Sequence, residues 1–380
     1  MEPSTLGSTV TTTSGLSFLN SVRWSTSLPS TLIDGFDALL HGSSSPIHRG
    51  DVTEIQGVTS SGKTQLLIKL AVNHLLPRRV HVRLERQVVR VPVGGKEELV
   101  TWFDCTASKF DIHRIAEILR FHLVQAINQF RRPKGIGAPT EEELDSLVAE
   151  CLTRLHVFSP TSTLQLAATL QTLPEWYEAL NLSGGGGLEE LGCVIIDGMT
   201  EFAWSDQYER EQQATSRTLP PPTPPPLQLF SSSISRLRET LSPLIFISQW
   251  VLRPSHPIAT PSQQNLPFYR PHFNPPLYPS LSNPPFPRPS STDPLSPVYY
   301  PSSPAPLFPI HFHITLHPSP RPIFRKGVSL AMVLKEGTRN QASERDVGVT
   351  TEGIVCVLRE KGGKELGSWE MEIGENEIIA

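Results

Sequence analysis

Short apolar runs alternate along the chain with longer segments in which apolar residues recur at helical spacing. The predicted strands are Asp51–Gly57, Glu98–Asp104, Cys193–Asp197 and Leu244–Ser248. The predicted helices are Leu32–Leu40, Thr64–Leu76, Asp111–Phe130, Thr161–Leu173 and Leu227–Leu241. Strands that alternate with helices of this length predict an α/β fold, in which helices cover both faces of a mostly parallel sheet.

Proline interrupts this pattern in two places. The first is the cluster Pro220–Pro226, and the second is Pro254–Pro322, which holds 21 of the 37 prolines. Proline lacks the backbone donor that helices and sheets need, so these insertions are predicted to be disordered. His311–Leu316 has the alternation of a strand returning to the sheet. The predicted organisation is a flexible lead (1–20), an ATP-binding core (21–253), a proline-rich insertion (254–309) and C-terminal strands that complete the sheet (310–380).

Composition and charge narrow the function classes only slightly. The formal net charge is −4, so the overall charge does not require a nucleic-acid partner. The four cysteines are far apart in sequence, which makes a disulfide framework or a cysteine metal site improbable. No apolar stretch is long enough to span a membrane, and residues 1–20 lack the pattern of a secretory signal. We therefore expect an intracellular protein.

The strongest motif follows the first predicted strand. Residues Gly57 to Thr64 match the phosphate-binding pattern G-x-x-x-x-G-K-[ST], with a strand before the motif and a helix after it. The glycines let backbone N–H groups surround a phosphate, Lys63 would reach the outer phosphates, and Thr64 would bind Mg²⁺. The predicted ATP-binding residues are Gly57, Val58, Thr59, Ser60, Ser61, Gly62, Lys63, Thr64 and Gln65.

A P-loop also needs a carboxylate at the end of a neighbouring strand, where it holds the water shell of the metal. Asp197 ends the apolar run Cys193-Val-Ile-Ile and is the candidate for this second Mg²⁺ position, together with Thr64. The alternative interpretation is an ordinary exposed aspartate at a strand end.

Several segments resemble the RecA/Rad-type recombinase family. The resemblance rests on Arg49–Gly57, Ser61–Leu66, Leu32–Leu40, Val194–Asp197 and Phe246–Trp250. Further similarity, at Ile196–Trp204 and Trp369–Ile378, is to a eukaryotic recombinase paralogue of that family. The resemblance implies a RecA-like P-loop core and a nuclear role in homologous-recombination repair of DNA double-strand breaks. It also implies that the partners are another recombinase paralogue, through it the main recombinase, and DNA through the complex.

The chain departs from that family at the position of the catalytic glutamate. Thr106 falls at or near the matching position, and a threonine cannot take a proton from water at neutral pH. Asp104 and Asp111 are weak substitutes, and nothing in the spacing favours either of them. The resemblance makes Gln249 a candidate sensor of the γ-phosphate, although a strand-end glutamine has other uses. Weak or absent DNA-dependent hydrolysis is expected, so whether the protein is an enzyme stays open. An active DNA-stimulated ATPase or strand-exchange enzyme is the alternative, and a small-molecule kinase is a less favoured one.

The segments that would hold DNA in the family are poor in lysine and arginine here. They correspond to Ser205–Pro226 and Pro254–His311, so tight DNA binding by this subunit alone is not expected. The basic pairs Arg78-Arg79 and Arg131-Arg132 are interpreted as solvated positions after helix ends. His311, His313 and His317 alternate on the predicted strand and are interpreted as a half-exposed strand face.

Overall fold

A computed structural model defines the fold. It describes residues 22, 29–41, 46–84, 87–106, 110–132, 138–183, 190–215, 226–252, 270–271, 310–318, 353–360, 364–374 and 377–380. The predicted lead at 1–20 lies outside these residues, as do nearly all of the proline-rich insertion and most of the cluster Pro220–Pro226.

Eight helical segments and twelve strands occur in the described residues. The helices are α1 (Asp34–His41), α2 (Lys63–Leu75), α3 (Ile112–Arg131), α4 (Glu141–Leu152), α5 (Thr163–Ser183), a 3-10 helix (Met199–Phe202), α6 (Ala203–Thr215) and α7 (Pro226–Thr240). The strands are β1 (Val52–Gly57), β2 (Arg79–Leu84), β3 (Gln87–Pro92), β4 (Leu99–Asp104), β5 (Leu155–Phe158), β6 (Leu191–Asp197), β7 (Leu244–Leu252), β8 (Arg270–Pro271), β9 (Phe312–Pro318), β10 (Ile354–Glu360), β11 (Glu365–Ile373) and β12 (Ile378–Ile379).

Ten strands form one sheet in the order β12-β11-β10-β9-β1-β7-β6-β4-β5, with β8 paired to β7. The strands from β9 to β5 in this order are parallel, and β10, β11 and β12 continue the sheet in antiparallel pairing. The strand that leads into the P-loop motif, β1, therefore lies between β7 and β9. Its neighbour β9 comes from beyond the proline-rich insertion.

Helices cover both faces of the sheet. On one face, α2 and α3 bury Leu67 and Ile118. On the other face, α5 and α7 bury Leu170 and Ile234. All four side chains have no exposed surface, and burial of this kind is the main stabilising contribution to such a core. The prediction of a mostly parallel sheet with helices on both faces is confirmed.

One local interpretation is wrong, and two elements were not predicted. Arg79 is exposed, as expected, but it begins β2, because the segment after α2 forms the antiparallel hairpin β2–β3. His313 and His317 are buried, with 8% and 6% exposure, so the expected half-exposed strand face is wrong for them. A helix, α4, begins after Thr140, whose hydroxyl accepts from the Glu143 backbone while the Glu143 side chain accepts from the Thr140 backbone. This capping box is visible in the sequence as Thr-x-x-Glu.

The helices show no membrane-spanning character. Among the described residues, no helix combines the length and the apolar content that crossing a bilayer requires.

Candidate phosphate-binding site

The loop between β1 and α2 has the backbone geometry of a tight phosphate loop. Ser60 and Gly62 have positive φ angles of 59° and 89°, a region that favours glycine. At Gly57, an added Cβ would lie 2.2 Å from the hydroxyl oxygen of Ser61. Glycine is therefore favoured at Gly57 because a side chain would collide with Ser61, and at Gly62 because of the positive φ.

Gly62 also lies against the far end of the chain. A Cβ at this residue would meet the side chains of Ile354 at 2.6 Å, Met371 at 3.1 Å and Ile373 at 3.2 Å. These three residues belong to β10 and β11, so the antiparallel extension of the sheet packs on the P-loop. The sequence alone gave no sign of this contact.

The start of α2 provides backbone donors. Its first residue is Lys63, and the N-cap residue Gly62 offers no side-chain cap. The first N–H groups of a helix have no partner within the helix, and they carry the positive end of its dipole. An anion such as a phosphate fits this position.

Lys63 folds back over the loop. Its ammonium group donates to the carbonyl oxygens of Gly57 and Val58, at 2.9 Å each. Burial lowers the pKa of Lys63 to about 8, and the negative charge of Asp197 partly opposes this effect. These two hydrogen bonds hold the Lys63 ammonium group within the loop of residues 57–64, where it would contact a bound phosphate.

Thr64 and Asp197 are in direct contact. The Thr64 hydroxyl donates to one carboxylate oxygen of Asp197 at 2.9 Å, and the Ser248 hydroxyl donates to the other at 2.5 Å. The Gly198 backbone N–H in turn donates to the Ser248 oxygen at 2.8 Å. The two residues predicted to share Mg²⁺ are therefore brought together, and Ser248 is a supporting residue that the sequence reasoning missed.

Several charges act on Asp197. Burial raises the pKa of Asp197, the hydrogen bonds from Ser248 and Thr64 lower it, and the nearby carboxylate of Asp104 raises it again. Asp104 is the cross-strand neighbour of Asp197 in the β4–β6 pair. A second positive charge at this edge would relieve the repulsion, which is the electrostatic setting of a P-loop metal. Within the described residues, no group of three or more histidine, cysteine or carboxylate side chains is arranged to hold a metal. A P-loop Mg²⁺ needs no such group, because phosphates and water complete its coordination.

Asp104 accepts hydrogen bonds from Thr106, which falls at or near the position where the resemblance implies a catalytic glutamate. One carboxylate oxygen of Asp104 accepts from the Thr106 backbone at 3.0 Å and from its hydroxyl at 2.6 Å. A Cβ at Gly198, which has a φ of 75°, would lie 2.6 Å from the Thr106 methyl group. Thr106 therefore lies beside the end of β6, next to Asp197. Its hydroxyl cannot act as a base.

Gln249 lies apart from these groups. Its neighbour Ser248 points to Asp197, and alternate residues of a strand face opposite sides of the sheet. Gln249 therefore faces away from the P-loop. It has no exposed surface, and neither atom of its amide has a hydrogen-bond partner. Its role as a γ-phosphate sensor stays a prediction of the resemblance.

The remaining predicted nucleotide-binding residues follow the course of the loop. Thr59, Ser60 and Thr64 are exposed, Val58, Gly62 and Gln65 are half-buried, and Gly57, Ser61 and Lys63 are buried. The loop thus has an accessible outer side and a lysine beneath it.

Comparison with known proteins gives one consistent likeness. No protein-family model matches the chain. The chain is 26% identical over 175 residues to the DNA repair protein XRCC2 homolog of Arabidopsis thaliana, and the match covers 43% of this chain and 44% of that protein. It is 29% identical over 163 residues to the DNA repair protein XRCC2 of Mus musculus, with the same two shares. The chain thus matches less than half the length of these curated relatives. Over about 43% of its own length, it is a distant homologue of proteins named DNA repair protein XRCC2.

Proposed function

We propose that this chain binds ATP with Mg²⁺ at residues 57–65. We further propose that it acts in the nucleus as an accessory subunit of a recombinase-paralogue complex that supports homologous-recombination repair of double-strand breaks. The observation that carries the ATP-binding part is the contact between Thr64 at the start of α2 and Asp197 at the end of β6. Thr64 and Asp197 would hold the metal, while Lys63 and the N–H groups at the start of α2 would hold the phosphates. The metal would neutralise charge between the outer phosphates.

A RecA-like core is consistent with the strand order. β1 leads into the P-loop from the middle of the parallel sheet, and β7 and β6, the two strands on one side of it, carry Ser248 and Asp197. Ligands of open α/β sheets bind at the carboxyl ends of the strands, where these residues lie. The repair role rests on the distant likeness to XRCC2 proteins.

Weak hydrolysis is part of the proposal. Catalysis of ATP cleavage needs a base that orients the attacking water. Near Asp197, that position is taken by Thr106, which is bound to Asp104. ATP would then act mainly as a structural ligand, and binding to a second recombinase paralogue would follow from it.

Nucleotide binding is tested with a matched pair of lysine variants on the same helix. Lys63→Ala should abolish Mg²⁺-dependent binding of a fluorescent ATP analogue. Lys69→Ala removes the same charge from a half-buried position further along α2 and should leave binding within about twofold, because it touches no part of the loop. Equal binding by both variants would contradict the ATP site.

The repair role is tested by affinity purification of the full chain from cells with damaged DNA. Co-purification of a recombinase-family protein is the expected result, and its absence would contradict the accessory role. The same preparation distinguishes the alternatives. Turnover stimulated by single-stranded DNA would indicate an active ATPase or strand-exchange enzyme, whereas phosphate transfer to a metabolite would indicate a kinase.

A further inference from the structure

The β2–β3 hairpin has an apolar inner face and an outer face that carries basic residues and the exposed Val88. Val80, Val82 and Val91 are buried on the inner face, with at most 4% exposure. Arg79, His81 and Arg90 do not join this core, and all three are exposed. Alternation along each strand separates the two sets. The apolar face explains why the hairpin is held in place, but it does not explain the basic one.

A cleft of about 620 Å³ lies between the hairpin and α4. Its basic lining consists of Arg78, Arg79, His81 and Arg90, and its acidic lining consists of Glu97 and Glu150. Both glutamates face the buried guanidinium of Arg154, at 3.7 and 3.6 Å. The single positive charge of Arg154 thus offsets part of the negative charge of these two glutamates. In the described part of the chain, no acidic side chain pairs with Arg79 or Arg90.

Arg79 and Arg90 are diagonal neighbours on the two paired strands, about 7–8 Å apart. Arg79 and His81 are two residues apart on β2, which separates them by about 6.6 Å at the usual rise of a strand. Arg90 is the cross-strand partner of His81. Two guanidinium groups at this separation suit successive phosphates of a polymer better than a single small anion. The planar arginine fork also suits phosphate oxygens.

We propose that the outer face of the β2–β3 hairpin binds the phosphate backbone of a single DNA strand. The choice of DNA rests on the proposed repair function, whereas the presence of a phosphate-binding surface rests on the hairpin itself. This surface is separate from the P-loop. β2 follows the C-terminal end of α2, and the P-loop precedes its N-terminal end, so the 13 residues of the helix separate the two sites by about 20 Å. Both sites can be occupied at once.

The test is the affinity of the full chain for a fluorescent single-stranded oligonucleotide, measured by anisotropy at several salt concentrations. Arg79→Glu/Arg90→Glu should weaken binding by at least about tenfold. It should also reduce the slope of log affinity against log salt by about 1.4, since each phosphate contact to a single strand contributes about 0.7. Mg²⁺-dependent ATP binding should be unchanged, which shows that the variant is folded.

The matched control is Arg236→Glu/Lys364→Glu, which changes the net charge by the same amount. Arg236 lies on α7 and Lys364 directly precedes β11, and both are exposed residues in surface ion pairs. The proposal is overturned if the control weakens DNA binding as much as the hairpin variant, or if the hairpin variant binds like the wild type. It is also overturned if polyglutamate competes as well as DNA, because the surface would then take any acidic polymer. Lys63→Ala should bind the oligonucleotide normally, so loss of the ATP site and loss of the hairpin site give different results.

Discussion

The hydroxyl of Thr64 lies 2.9 Å from a carboxylate oxygen of Asp197, although 133 residues separate them in the chain. Parallel pairing of β1, β7 and β6 produces this contact, because it places the carboxyl ends of the strands at one edge. The Thr64 oxygen would bind Mg²⁺ through a lone pair while its hydrogen stays on Asp197, which would hold the water shell of the ion. The contact therefore marks the expected position of the ion.

Asp197→Asn should remove the effect of Mg²⁺ on ATP affinity. An amide keeps the shape of the side chain but loses the charge that holds the metal's water shell, and losses of this kind cost about 10- to 100-fold in metal affinity. The measurement is ATP binding with Mg²⁺ and with chelator. Asp145→Asn, at an exposed position of α4, is the control. Retention of the full Mg²⁺ effect in Asp197→Asn would exclude this carboxylate as a metal residue.

ATP affinity should fall as the pH rises above about 8. The pKa of Lys63 is lowered to about 8 in the free protein because the side chain is buried. Bound phosphates would favour the charged form and raise that pKa, so binding above pH 8 must take up a proton. The affinity should then decrease by up to about tenfold per pH unit.

Calorimetry in two buffers with different ionisation enthalpies checks this proton uptake directly. The Lys63→Arg variant is the control, because an arginine stays charged throughout this range. A wild-type affinity that does not change between pH 7 and pH 9.5 would contradict the prediction.

Gly62→Ala should reduce both stability and nucleotide binding. A positive φ costs a non-glycine residue about 1–2 kcal/mol, and the new methyl group would lie 2.6 Å from Ile354. Gly94→Ala is the matched control, since Gly94 has a similar φ of 91° but nothing within 4 Å of the added Cβ. Thermal unfolding of the two variants separates backbone strain from steric contact. Equal decreases in the unfolding temperature would show that β10 and β11 accommodate the added methyl group without loss of stability.

Gln249→Leu should stabilise the nucleotide-free protein by about 1 kcal/mol. A buried amide without partners is a cost that an apolar side chain of similar size removes. We expect the preference for ATP over ADP to be unchanged, since the side chain faces away from Asp197. Chemical denaturation and competition binding are the two measurements. Loss of the ATP preference would instead support the γ-phosphate sensor suggested by the resemblance.

The sequence predicted the elements of the site better than their contacts. The strand before Gly57, the helix after Gly62 and the strand ending at Asp197 were evident from periodicity and motif, and the structure contains all three. Periodicity is a local property, and it cannot show that Ser248 supports Asp197 or that Ile354 meets Gly62. These contacts depend on strand order, which is set by pairing between distant segments.

The β2–β3 hairpin was not predicted from the sequence, for a different reason. Its two strands read Arg-Val-His-Val-Arg-Leu and Gln-Val-Val-Arg-Val-Pro, and the first alternates regularly between polar and apolar residues. That period is typical of a strand, although the basic pair Arg78-Arg79 alone indicates only solvated positions after a helix end. The burial of His313 was likewise not evident from the sequence. The reason is that Glu54, which lies 2.9 Å from its ring, is contributed by a strand 259 residues away.

The position of β9 has a consequence for shortened forms of the chain. This strand shields the side of β1 that β7 leaves uncovered, yet it is encoded after the proline-rich stretch. A messenger RNA that is truncated or spliced to end before residue 310 would yield a chain without β9. In that chain β1 would be an edge strand with unpaired backbone amides. Such a product is expected to aggregate or be degraded, so it would resemble a null allele.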